Sequence, residues 1–284
     1  MFKYLAALFM LIDHIAFYLS DRIPPDTFYI MRQIGRLAFP MFAYIIAKNI
    51  NRTSHLPRYF MRLLIAASVT QLIFQALHVI YTDIYIYVNT LFTFALGVAL
   101  VTGIRLVIES SRDMLLMARP VTNLGDKADG VPPQIQIPVN FGGITLPAWS
   151  GLLFGVVLIA ISLVTTWFIN PDYGLYGVIM IPAFYYLNKM LPDDSGPLGK
   201  ENRLPRTLGF FAGLLVLNLL YYWNMSSRGM PLGGRFQMFS TLAAILFPME
   251  SISERRPGKF SKRFFYIFYP AHIAILMIMS HYTS

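Results

Sequence analysis

The chain is 284 residues long, 56% hydrophobic and only 13% charged, with a formal net charge of +9. Soluble domains carry about 25% charged residues, so this composition, with a mean hydropathy of +0.55, excludes an ordinary soluble enzyme and points to an integral membrane protein. There is no cysteine, which removes disulfides, thiol nucleophiles and cysteine-based metal sites.

The apolar material runs along the whole chain, so one membrane body, residues 1–284, is expected rather than two domains. A nucleic-acid binder would gather its basic residues into a patch between soluble elements. Here they fall in the gaps between apolar runs, which is membrane topology, and no nucleic-acid partner is expected.

A hydrocarbon core of about 30 Å needs roughly 20 apolar helical residues. That rule gives about nine spans, near 2–20, 34–50, 59–80, 85–108, 149–169, 173–191, 207–225, 235–250 and 263–281. The first is too long for a signal-peptide core and lacks a small-residue cleavage site, so it reads as a retained transmembrane helix. The fold class is therefore all-α, a polytopic transmembrane helix bundle.

Orientation follows from the positive-inside rule. Lys48, Arg52, Arg58 and Arg62 flank the second gap, Arg105, Arg112, Arg119 and Lys127 the fourth, and Lys189, Lys200, Arg203 and Arg206 the sixth. Arg255, Arg256, Lys259, Lys262 and Arg263 fill the eighth. With Lys3, 18 of the 23 basic residues lie on one side of the successive spans. The N-terminus is expected in the cytoplasm and the C-terminus outside. A cytoplasmic loop near 109–147, rich in Pro, Gly, Asn and Asp, and a shorter one at 193–204 read as flexible connections. Phe141-Gly-Gly143 would form a turn against the membrane surface.

The first span carries Asp13-His14 in an otherwise apolar run. A charged side chain at bilayer depth costs about 2.5–3.5 kcal/mol on insertion scales and usually faces protein or a wet cavity. Adjacent helical residues point about 100° apart, so Asp13 and His14 look toward different neighbours. Met10, Phe17 and Tyr18 share the face of His14. Arg32 and Arg36 lie four apart on one face near the outer end of the second span, and Arg36 reaches a similar depth, where its guanidinium would stabilise Asp13. That pairing is either part of a site or an ion pair that only fixes helix packing. His14 is the candidate general base, since imidazole titrates near neutrality.

Two further groups reach that depth. Asn89, Thr90 and Thr93 lie in the outer half of the fourth span. In the ninth, Tyr266, Tyr269, Pro270 and His272 follow one another, and Pro270 removes a helical hydrogen bond. This is either a polar pocket or a proline kink with His272 bonded to a neighbouring helix. Asp172-Tyr-Gly174 and Gly177 read as a turn and a close helix contact. His55 and His281 receive no role, and His78 is read as interfacial. No metal site is expected, because the transmembrane histidines lack a carboxylate at ligand spacing. No nucleophile elbow, phosphate loop or dinucleotide fingerprint is present.

Met10-Leu-Ile-Asp13-His14-Ile15, Arg32-Gln-Ile-Gly-Arg36-Leu-Ala-Phe-Pro40-Met-Phe42, Asn89-Thr-Leu-Phe and Phe268-Tyr-Pro-Ala-His272-Ile together resemble the TraX family. That family is linked to N-terminal acetylation of conjugative pilin and is similar to a wider group of integral-membrane acyltransferases. Those pair an early-helix histidine with an arginine-bearing second helix. The likeness covers the first hundred residues and the last twenty, with the middle matched only as hydrophobic spans.

The resemblance implies an acetyl-CoA-dependent N-acetyltransferase of the bacterial inner membrane, with a pilin protein as substrate and lipids around it. In that reading His14 is the base and Asp13 acts by holding Arg36. Arg32, Arg36, Asn89, Tyr269 and His272 line the substrate. Other readings remain: an acceptor that is a glycan or lipid, a transporter using Asp13, His14, Arg36 and His272 as a path, or a non-catalytic pilus-assembly protein.

Overall fold

Helix α6 (Ala148–Ile169) carries Trp149 and Trp167 near its two ends, 62% and 80% exposed. Eighteen residues at about 1.5 Å each separate them by roughly 27 Å, close to one hydrocarbon thickness. Amphipathic indoles at both water–lipid boundaries are the usual belt of a spanning helix. Between them Leu153, Phe154, Val156, Ile161 and Val164 are exposed, as lipid-facing residues are.

In this computed structural model, residues 1–53, 55–81, 88–117, 134–136, 145–193, 199–252 and 259–283 are described. They are helical apart from short connections and one two-stranded ribbon. The order is α1 (Phe2–Tyr18), α2 (Pro25–Gly35), α3 (Ala38–Arg52), α4 (Leu56–Tyr81), α5 (Thr90–Met117), α6, α7 (Gly174–Met190) and α8 (Gly199–Ser227). There follow α9 (Pro231–Met238), a 3-10 turn at Phe239–Leu242, α10 (Ala243–Leu246), α11 (Pro248–Ile252) and α12 (Lys259–Thr283). Each of the nine expected stretches falls on one helix or on one run of short helices. Among the described residues, five helices are by themselves long and apolar enough to cross a membrane: Leu56–Ile80, Thr90–Leu115, Ala148–Ile169, Gly199–Ser227 and Phe264–Tyr282. The chain is a polytopic all-α membrane protein.

Two runs are broken. α2 and α3 form one path interrupted at Arg36–Leu37, and α9 to α11 form another interrupted by the 3-10 turn. A 3-10 stretch inside a helical path often marks strain or a hinge. The α2–α3 path lies antiparallel to α1, with Gly35 against Asp13 and Tyr44 against Phe2. α12 runs alongside α1 in the same direction, Tyr4 meeting Phe264 and Phe265 near one end and His14 meeting His272 nearer the other. Contrary to a simple break, α12 continues helically through Pro270.

Lipid supplies no hydrophobic drive between helices, so close packing must do the work. Gly103 and Gly155 let α5 and α6 approach until a Cβ on either would lie 2.8 Å from the other's carbonyl oxygen. Gly177 likewise seats α7 against Thr93 and Phe39. Toward the end that carries the basic loops, Tyr44 stacks on Phe247 at 4.3 Å and meets Phe210 edge-on at 5.2 Å. Phe184 and Phe2 close the same cluster. Lys48 pairs with Glu250 there, fixing α3 to α11.

The loop expected at 109–147 starts later, because α5 continues to Met117 with Arg105 and Glu109 paired one turn apart at 3.7 Å. Two short strands, β1 (Gln134–Gln136) and β2 (Thr145–Pro147), pair antiparallel within it. The rest of it, including Phe141-Gly-Gly143, lies outside the described residues, as do Tyr85, Tyr87, Arg255 and Arg256.

Candidate functional site

At the end of the bundle away from the basic loops, α1, α2, α5 and α12 bring their polar residues together. Asp13 and His14 do face different neighbours. Asp13 is buried against α2, where Arg32 Nη1 stands 3.0 Å and Arg36 Nη2 3.7 Å from its Oδ1. That oxygen has no aligned hydrogen bond among the described residues, so the attraction is mainly Coulombic. Arg32 is also held over the Phe17 ring at 5.6 Å, a cation–π contact.

Gly35 permits this approach. A Cβ at that position would lie 2.3 Å from Cβ of Asp13, so any side chain there would push α2 off the acid. Arg36 follows at the helix break, its N–H still bonded to the carbonyls of Arg32 and Gln33. Its Nε is buried without a hydrogen-bond partner among the described residues. Two guanidiniums therefore share the Asp13 carboxylate, and the Asp172 carboxylate lies within their electrostatic reach.

His14 turns to α12. Its Nδ1 lies 2.7 Å from Nε2 of His272, whose own Nδ1 lies 2.6 Å from the carbonyl oxygen of Phe268. The planes are 11° apart with centroids at 5.0 Å, so the rings meet edge to edge through an in-plane N–H···N bond. Phe264, Phe268 and His272 stack along one face of α12, at 5.2 and 4.6 Å. Tyr18 edges against His14, and Met10 and Tyr18 pack on Tyr269, Ile273 and Met277.

Tyr269 reaches the start of α5, where its hydroxyl oxygen accepts from the Thr90 N–H at 3.3 Å. Thr90 Oγ1 donates to Asp172 Oδ2 at 2.6 Å, and Thr93 Oγ1 to the carbonyl of Asp172. The α6–α7 turn is thereby stitched to the α5 N-terminus. Asn170 and Tyr173 hold φ of 38° and 65° there, a left-handed conformation that side chains other than Gly rarely adopt. Tyr173 stacks on Phe39 at 3.9 Å.

Asn89, expected to line the substrate, bonds toward α4. Its Nδ2 donates to Ala67 O and Gln71 Oε1, both at 2.9 Å, and its Oδ1 accepts from the Leu91 N–H at 3.1 Å. It caps α5 and ties it to α4, and it does not join the His14 group. Sequence reasoning missed Gly35, the Phe268 carbonyl and the Thr90–Asp172 bond. Only Gly35 carried a local signal, as the small residue between two charged ones.

A bundle of membrane helices with an arginine–carboxylate group and a bonded histidine pair buried near one end defines a polytopic membrane protein with an internal polar site. A family model described as TraX protein matches residues 1–280. The chain belongs to the TraX family, and as such is a conjugation-related, pilin-associated membrane protein. Neither the curated proteins nor the solved structures contain a match.

Proposed function

We propose that the protein is a membrane-embedded acetyltransferase that moves an acetyl group from acetyl-CoA to an acceptor amine, the N-terminus of a conjugative pilin. The observation that carries this reading is the His14–His272 bond beside Asp13, Arg32 and Arg36. Groups so costly to bury in lipid are kept where they act. His14 Nε2 makes no hydrogen bond among the described residues, so it is unengaged and available to take a proton from an acceptor amine.

In the reaction the neutral amine attacks the thioester carbonyl carbon. His14 Nε2 takes the proton from that nitrogen as the C–N bond forms. The carbonyl oxygen becomes an oxyanion, which the guanidiniums of Arg32 and Arg36 favour. The C–S bond then breaks, and the coenzyme A thiolate leaves and takes up the proton. Asp13 holds the two guanidiniums in place rather than reacting, while Tyr269 lines the acceptor side.

The site lies away from the basic loops, which suits an acceptor arriving from the outer face of the bacterial inner membrane and a donor from the cytoplasm. Arg58 and Arg62 line an open groove with Thr53, His55, Met61 and Ile65 at the opposite end, which suits the donor's phosphates. Lys259, Lys262 and Arg263 belong to the same proposed rim, but their side chains lie outside the described residues.

Mass spectrometry of pilin from cells carrying wild type or His14→Ala tests the reading. The N-terminal acetyl mark is expected with wild type and lost with the variant. An unmodified pilin with wild type, or an acetyl mark on glycan or lipid instead, would remove pilin as the acceptor. A second reading, a translocation path, draws on the two broken helical runs, since discontinuous helices line many transporter sites. It predicts ion flux in proteoliposomes without acetyl-CoA.

A further inference from the structure

We infer that His272 is a positioning residue that fixes the tautomer of His14 and so leaves the lone pair on His14 Nε2. This deepens the proposed function and rests on His14 being its base. The chain of bonds has only one direction for a neutral pair. The Phe268 carbonyl oxygen has no hydrogen to give, so His272 Nδ1, 2.6 Å away, must carry the proton and donate. A neutral imidazole holds one N–H, so His272 Nε2 is then an acceptor. His14 Nδ1, 2.7 Å from it, must donate in turn. Its second nitrogen, Nε2, is left unprotonated and outside any hydrogen bond among the described residues.

The anchor of this relay is rigid. The Phe268 carbonyl belongs to the backbone of α12, and the Phe268 ring stacks on His272 at 4.6 Å with 13° between planes. His272 is 5% exposed, so water cannot readily replace either partner. Tyr269 closes its other flank at 6.1 Å. A buried partner that orients an imidazole through its second nitrogen is a recognised way of setting which nitrogen reacts. Here the partner is a second histidine on a different helix, held by a backbone carbonyl.

The relay is read directly by solid-state nitrogen NMR of histidine-labelled protein in lipid bilayers near pH 7.5. The two imidazoles that correlate with each other through the N–H···N bond identify the pair. The expected spectrum shows His14 protonated at Nδ1 and bare at Nε2. Two histidines that do not correlate would overturn the inference alone. A proton on His14 Nε2 would overturn it and also remove that nitrogen as the base, while acetyl transfer itself is read separately by mass spectrometry of the pilin.

Kinetics give the second arm, with folding checked by melting temperature. His272→Leu fills the space without an acceptor and is expected to lower kcat by about 10–100-fold, in the range for loss of an orienting partner. KM should change little. His272→Gln returns an acceptor near the position of Nε2 and should recover most of the loss. Equal kcat for wild type and His272→Leu would sink the positioning role while leaving His14 as the base. A wild type without any transfer would refute the base itself, and with it the catalytic purpose of the relay.

Discussion

The two ends of the bundle are built on opposite plans. Toward the basic loops, Phe2, Tyr44, Phe184, Phe210 and Phe247 interlock in stacked and edge-on pairs with almost no exposure. At the other end the contacts are largely polar, several polar side chains such as Asp13 and His272 are buried, and the helices meet through single bonds such as His14–His272 and Thr90–Asp172. In lipid, helix association comes from packing and hydrogen bonds rather than from hydrophobic burial. The aromatic end therefore sets where α1, α3, α7 and α8 stand. The polar end inherits that geometry and holds reactive groups in place.

Substitutions should separate the two ends. The largest effect is expected at His14: removing a general base typically costs about 10²–10⁴-fold in rate, with the melting temperature nearly unchanged. Phe247→Ala should do the reverse. An emptied aromatic core site costs about 3–5 kcal/mol, seen as a lower melting temperature in detergent, with turnover per folded molecule preserved. An intermediate case is Gly35→Ala, which straddles the two. Its methyl group must displace Asp13 or α2, and overpacking of this kind costs about 1–3 kcal/mol; because Arg32 and Arg36 move with it, turnover falls as well. The smallest change is expected for Asn89→Ala, where the lost cap is worth about 0.5–2 kcal/mol, read in thermal unfolding.

Much of the fold was legible because hydropathy and basic loops are one-dimensional signals. The span near 149–169 coincides with α6, and 173–191 with α7. Where the helix leaves the apolar zone the signal ends before the helix does: α5 continues past residue 108 on Arg105–Glu109 pairing, and α8 begins at Gly199 rather than 207. The broken path from Pro231 to Ile252 read as one span, since a 3-10 turn keeps the same composition.

The site was legible in part. Asp13 and Arg36 stood out by cost of burial, and the 100° step between Asp13 and His14 separated their partners. Which partners they meet depends on which helices are neighbours, and that is a three-dimensional fact. Hence the bond to His272, the carbonyl of Phe268 behind it and the turn of Asn89 toward α4 came only with the structure.

The most direct test uses purified protein in proteoliposomes, with isotope-labelled acetyl-CoA supplied on the side of the basic loops and a pilin N-terminal peptide on the other. Transfer by His14 predicts label on the peptide α-amine with wild type and at least about a 100-fold slower reaction with His14→Ala. Equal labelling by the two proteins, or none by wild type, would contradict it.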